Sequence, residues 1–311
     1  IPGFDTALSE DEFFGVVKKV GCAVIGQTAN LAPADKKIYA LRDVTGTVNA
    51  IPLICSSIMS KKLASGADTI LLDVKYGSGA FMPTPESALE LAEKMVAIGT
   101  LAGKRIGALI TDMQQPLSDH VGNSLEIVGI IDVLNGKKNR LYYEIREVAV
   151  KLLALTGKYD EKSAEQAFQR AIDSGNALNK FAEMVTVQHG DESYIHNPDK
   201  FALGQRDAVL ADKDGYVTGM AAADIGRAVT HLGGGRMTKS DVIDFSVGVV
   251  MQVAIGSKVN KGDVLCEVYH NGKGLDEAKT LISNSVFIGG DKPAEHKIAY
   301  AYVDKNGVTL Y

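Results

Sequence analysis

The chain reads as an α/β protein with a β-rich C-terminal module, and three features of the sequence lead to that expectation. From Thr69 onward, short apolar runs alternate with long amphipathic ones, the order that places crossover helices between parallel strands. Beyond residue 207 the rhythm shortens to alternating runs punctuated by the turn dipeptides Asp214-Gly215 and Asn271-Gly272. With 311 residues, 46% of them hydrophobic and 23% charged, the chain can bury the core that such a fold needs.

The first helix starts at a capping box, Ser9 with Glu12 three residues on, and runs through Phe13, Phe14, Val16, Val17 and Val20 to a stop at Gly21. "CAVIG", residues 22–26, is a short apolar run of strand type. "LAPADKKIYALRD" begins a second helix with Pro33 in its first turn. A third runs from Pro52 to Gly66, with Ile54, Ile58, Met59 and Leu63 supplying apolar contacts. Strand "TILLDV" then leads through helix "PESALELAEKMVAIGTLAG" to strand "RIGALITDM" and a helix inside "VGNSLEIVGIIDVLNG". Two further helices, in "YEIREVAVKLLALTG" and "KSAEQAFQRAIDSG", each end at glycine. The polar stretch "HGDESYIHNPDKFALGQRD" marks a boundary, after which short helices in "DIGRAVTHLGGGRMTKSDVIDFSVGVVM" interrupt the strands.

A net charge of -5 and a pI near 5.7 give no basic face for tracking phosphates, so nucleic acid is not an expected partner. No apolar run reaches the roughly 18 residues of a membrane span, and no signal-peptide pattern is visible. Cys22, Cys55 and Cys266 stand too far apart in sequence for a metal knuckle or a redox dithiol. They read as buried thiols of a cytoplasmic protein.

The glycine-rich loop "DVKYGSGAFM", residues 73–82, follows a strand and could present N–H groups to an anion. It has neither the nucleotide-binding lysine motif nor the dinucleotide spacing, and tight turns explain its glycines equally well. "HLGGGRM", residues 231–237, is better explained by close packing at a helix end. The histidines show no ligand spacing, and no nucleophile-elbow motif is present. "IGSKVNKGDVLCEVY", with Lys213 at an earlier turn, resembles the sandwich of biotinyl and lipoyl carrier domains. Their modified-lysine tip is missing, so the likeness is one of scaffold.

The most informative stretch is "LRDVTGTVNAIPLICSSIMSKKLASG", residues 41–66, which sets Arg42 and Lys61 at the ends of an apolar run dotted with hydroxyls. Ser57 and Lys61, four apart, share a helix face. Packed beside Arg42 they would form a donor-only cradle suited to a planar ligand with carbonyl oxygens and a ring nitrogen that becomes negative. On spacing alone a plainer account comes first: Lys61 and Lys62 cap the helix C-terminus, and Arg42 pairs with Asp43 or Asp35.

The stretch "IGQTANLAPADKKIYALRDVTGTVNAIPLICSSIMSKKLASGADTILLDVKYGSGAFM" resembles the pyrimidine-nucleoside and thymidine phosphorylase family almost residue for residue. The resemblance continues through "TDMQQPLSDHVGNSLEI", "DVIDFSVGVVM" and "VNKGD" and covers essentially the whole chain. It implies a homodimeric transferase that exchanges the base of uridine, thymidine or deoxyuridine for phosphate, giving a pentose 1-phosphate and free pyrimidine in nucleoside salvage. The co-substrate is phosphate, and no organic cofactor is implied. The family's base-binding arginine, serine and lysine fall on Arg42, Ser57 and Lys61, and its flanking base contacts on Tyr39 and Ile54. A monovalent cation, K+, would be held by the backbone carbonyls of Leu117 and His120 and by a glutamate whose position is taken by Gly129. Glu126, one helical turn earlier, could substitute for it.

The resemblance also implies a small all-α domain closing on a large mixed α/β domain, with the site between them. Residues 1–35 and 67–206 would belong to the α/β domain, and residues 36–66 to the α-domain. Residues 207–311 would form the C-terminal, barrel-sandwich-like module. The family's phosphate loop, Lys-His-Ser-Thr-Gly-Gly, and its Ser-Gly-Arg-Gly segment lie upstream of the position of Ile1. The chain is therefore expected to be N-terminally truncated, with no phosphate-binding residues of its own, and to be inactive alone. Two rivals remain: a phosphorylase of nucleoside monophosphates, for which no basic cluster is visible, and a non-catalytic pyrimidine-binding or interaction remnant.

Overall fold

The protein is described by a computed structural model covering residues 1–26, 32–35, 38, 47 and 50–311. Helix α1 (Glu10–Val20) starts at the expected capping box, with the Glu12 carboxylate accepting from the Ser9 N–H at 2.8 Å, and ends at Gly21 with φ 91°. Residues 22–26 form no strand. Buried Gln188 holds them instead: its Oε1 accepts from the Val24 N–H at 2.9 Å, while its Nε2 donates to the carbonyls of Val24 at 2.7 Å and Asp5 at 2.8 Å. One side-chain amide supplies the hydrogen bonds that a neighbouring strand would have given.

Helix α2 (Ile51–Ala64) carries Pro52 in its first turn, where the missing N–H costs nothing. Strand β1 (Thr69–Tyr76), helix α3 (Pro85–Leu101) and strand β2 (Arg105–Asp112) form the expected crossover, and β1 and β2 pair in parallel from Thr69 opposite Arg105 to Tyr76 opposite Asp112. The other edge of β2 takes β10 (Ala299–Asp304) in antiparallel pairing, followed by β11 (Gly307–Leu310). The sheet is thus mixed, and residues 299–310 belong to it, although the expected boundaries group them with the C-terminal module. From Ile106 to Asp112 every residue of β2 is buried, so the strand needs a partner on both edges. The core joins Ile70, Leu72, Ile106 and Ile110 to Leu91 and Met95 of α3 and to Met59 of α2.

Next come β3 (His120–Val121), α4 (Asn123–Leu134), α5 (Arg140–Leu155), α6 (Glu161–Asp173), α7 (Asn176–Val187) and the single turn α8 (Ser193–His196). Helix α5 is clamped to the C-terminal ends of β1 and β2 by Arg140 and Glu144, which lie four apart on one face. The Arg140 guanidinium donates to the Asp112 carboxylate at 2.9 Å and to its carbonyl at 2.7 Å. Glu144 pairs with Lys75, which also meets Asp73 at 2.6 Å and Thr111 at 2.8 Å.

The C-terminal module contains β4 (Gln205–Leu210), β5 (Gly215–Met220), α9 (Ala222–Val229), β6 (Gly248–Met251), β7 (Lys258–Val259), β8 (Val264–His270), α10 (Leu275–Ser285) and β9 (Val286–Gly289). Among the described residues it holds two open sheets, ordered β3-β6-β8-β4 and β7-β5-β9, over a core that includes Val217, Ile225, Val249, Val268 and Ile282. No closed barrel forms among them. The triple glycine after α9 is a packing device, as the sequence suggests: a Cβ on Gly234 would meet Val229 at 2.6 Å, and one on Gly235 would meet Thr230 at 2.7 Å.

Cys55 and Cys266 are buried as expected, whereas Cys22 is exposed just past the end of α1. Burial pushes the Cys266 thiol up to about 12, far from thiolate formation at neutral pH. Iodoacetamide at pH 7.5 is therefore expected to label Cys22 alone in the native protein and all three cysteines in guanidinium, read by peptide mass spectrometry. Rapid native labelling of Cys266 would contradict its place in the core.

Candidate active site

On α2, Ile54, Ser57 and Lys61 follow at i, i+3 and i+7 and form one stripe. Asp35, in helical backbone, comes against that stripe. Its Oδ2 accepts from the Lys61 ammonium at 2.8 Å and from the Ser57 hydroxyl at 3.1 Å, and Lys61 also donates to Ser57 Oγ at 3.1 Å. Asp35 and Ser57 are buried, and the Lys61 side chain is 27% exposed. Lys61 thus does more than cap a helix end. The cradle is not donor-only either, because it is built around a carboxylate that can only accept. Tyr39 and Arg42, the other two residues expected at this site, lie outside the described residues.

Ile54 also lines a cavity of about 790 Å³ together with Ile58, Lys62, Lys75, Phe81 and Met82. Phe81 is 72% exposed, an apolar side chain held out at the tip of the glycine loop. Nothing in the sequence marks it, because the neighbouring glycines point to the backbone.

That loop does not cradle an anion, since the N–H groups of residues 77–80 are already spent. Gly77 donates to Met82 O at 2.9 Å, Ser78 to Gln114 Oε1 at 3.1 Å, Gly79 to Met113 O at 3.0 Å and Ala80 to Gly77 O at 3.0 Å. The Ser78 hydroxyl ties the loop to both neighbours, lying 3.0 Å from Gln114 O and 2.8 Å from Met220 O, and it accepts from the Ala222 N–H at 3.1 Å. Gly77, at φ 119°, has no room for a Cβ, which would lie 2.7 Å from the Gln114 nitrogen. The loop is a staple joining the sheet, the C-terminal module and the cavity wall.

Leu117, His120 and Glu126 line a second cavity, of about 450 Å³. The Glu126 carboxylate is turned back to the Gly122 N–H at 3.3 Å. A Cβ on Gly129 would lie 2.9 Å from Ser118 Oγ and 3.1 Å from His120 Nδ1. Burial lowers the His120 pKa and favours the neutral ring. A neutral imidazole and a hydroxyl thus crowd the place where a carboxylate from position 129 would enter. Position 129 thus supplies no carboxylate of the kind that the implied K+ site calls for.

The parallel crossover, the stapled glycine loop and the mixed sheet make this an α/β protein, and residues 1–178 match the protein family described as "Glycosyl transferase family, a/b domain". Residues 216–289 match "Pyrimidine nucleoside phosphorylase C-terminal domain". The chain is 45% identical over 306 residues to a pyrimidine-nucleoside phosphorylase of Staphylococcus epidermidis, covering 96% of this chain and 70% of that protein. It is 44% identical over 298 residues to that of Bacillus subtilis, covering 94% of this chain and 69% of the relative. The chain belongs to the pyrimidine-nucleoside phosphorylase family. Among the described residues no helix is long and apolar enough to cross a membrane.

Proposed function

We propose that the protein catalyses the reversible phosphorolysis of uridine, thymidine and deoxyuridine to the free pyrimidine and a pentose 1-phosphate. The observation that carries this reading is the state of Lys61. Its ammonium has three N–H donors, of which one goes to Asp35 and one to Ser57. The third has no partner among the described residues, and in this reading it is the donor that meets the base.

In the reaction a phosphate oxygen forms a bond to C1′ of the sugar while the bond from C1′ to N1 of the base breaks. The electron pair passes to the base and spreads over N1, O2 and O4, and the released anion then takes up a proton. A fixed ammonium at a carbonyl oxygen favours this anion over the neutral nucleoside, so it lowers the barrier rather than merely tightening binding. In this reading Arg42 and Lys61 hold the two carbonyl oxygens, Ser57 meets the N3 edge, and Tyr39 and Ile54 flank the ring. The phosphorylase names of the relatives support the same activity. The homodimer implied by the resemblance and a cytoplasmic location belong to the proposal as well, the latter in keeping with three cysteines that form no disulfide.

The test is incubation of the full-length protein with uridine or thymidine and inorganic phosphate. Free base should appear with an equal amount of pentose 1-phosphate, followed by 31P NMR, and should require phosphate. Base binding without phosphate-dependent cleavage would overturn the enzyme reading and leave a pyrimidine-binding protein.

A further inference from the structure

We propose that Asp35 is the positioning residue that decides which pyrimidines the site accepts, because it fixes the Ser57 hydroxyl as a hydrogen-bond acceptor. The inference rests on the base-binding role given to Ser57 and Lys61 above and extends it to specificity.

The polarity of the cluster follows from the chemistry of its members. An ammonium has no lone pair, so at 3.1 Å from Lys61 the Ser57 oxygen must accept. An ionised carboxylate has no proton, so at 3.1 Å from Asp35 Oδ2 the same hydroxyl must donate. The contact between Lys61 and Asp35 at 2.8 Å closes the triangle and sets the two opposite charges side by side. Ser57 thus has its one proton committed and one of its two lone pairs in use. What it can still offer a ligand is a lone pair. With Ser57 and Asp35 both buried, bulk water does not readily release the hydroxyl from this arrangement.

An acceptor beside a cationic donor suits one face of a pyrimidine. Uracil and thymine present an N3–H between two carbonyl oxygens, so the donor meets Ser57 and a carbonyl meets the ammonium. Cytosine presents a bare N3 lone pair and an amino group at C4. Its N3 would face the Ser57 lone pair, and its amino hydrogens would face the Lys61 ammonium. Leaving such buried groups unpaired costs on the order of tenfold to a hundredfold in affinity for each mismatch. Asp35 need not touch the base to impose this choice.

Binding of uracil, cytosine and 3-methyluracil, measured by calorimetry or ligand-observed NMR, tests the proposal. The unaltered protein should prefer uracil by about a hundredfold over both cytosine and 3-methyluracil, which lacks the N3 hydrogen. In Asp35→Ala the Ser57 proton is free to be donated to a ligand, so uracil binding should weaken while cytosine binding holds or strengthens. The ratio should fall at least about tenfold. Ser57→Ala should collapse the ratio in the same way, and adding Asp35→Ala to it should leave the ratio unchanged even if both bases bind more weakly, since the acceptor through which Asp35 sets the choice is already gone. A general loosening of the site would weaken both bases equally, and an unchanged ratio in folded Asp35→Ala overturns the proposal. Equal binding of uracil and 3-methyluracil by the unaltered protein overturns it without any variant. No uracil binding at all would instead overturn the base-binding reading beneath it.

Discussion

Lys61→Ala is expected to lower the turnover of uridine and thymidine by on the order of a hundredfold or more, with a smaller change in KM. A hundredfold corresponds to about 2.7 kcal/mol of barrier, a plausible loss for one preorganised donor aimed at a developing anion. The split follows from the direction of charge flow: the nucleoside is neutral when it binds and its base is anionic when it leaves. The variant also leaves the buried Asp35 carboxylate without its ammonium partner, so a melting curve should accompany the kinetics. Unchanged turnover in a folded Lys61→Ala protein would remove Lys61 from the mechanism.

Arg140→Ala should destabilise the fold by about 3–5 kcal/mol in urea denaturation. Asp112 has no exposed surface, and without the guanidinium its carboxylate keeps, among the described residues, only the hydrogen bond from the Gln114 N–H at 3.0 Å. A buried charge stripped of its partner costs far more than the intact pair contributes. Lys137→Ala is the comparison: Lys137 is 47% exposed and pairs with Asp132 at 3.0 Å at the surface, so its loss should cost less than about 1 kcal/mol. Similar effects from the two changes would mean that Arg140 does not clamp α5 in solution.

What the sequence makes legible is local. The Ser9 and Glu12 capping box, the span of α2 and the shared face of Ser57 and Lys61 all lie within a few residues, where helical geometry alone fixes the relation. Asp35 reaches Ser57 across 22 residues, and Gln188 reaches Val24 across 164. No periodicity carries information over such distances, so neither the carboxylate in the cradle nor the amide behind residues 22–26 can be read from the chain alone. The glycine loop is ambiguous for another reason: the same glycines serve an anion cradle or a tight staple. Only the destination of each N–H distinguishes the two.

The position of β10 beside β2 has a consequence for how the protein is made. When β2 leaves the ribosome it finds β1 already synthesised, but its other edge stays unpaired until β10 follows roughly 190 residues later. At about 5–20 residues per second, the apolar core strand carries an open edge for about 10–40 s. Open edges of this kind invite pairing with other nascent chains. Completion of the sheet thus waits on a strand made long after its neighbours, and loss of residues 299–310 should yield aggregation rather than a slightly shorter enzyme.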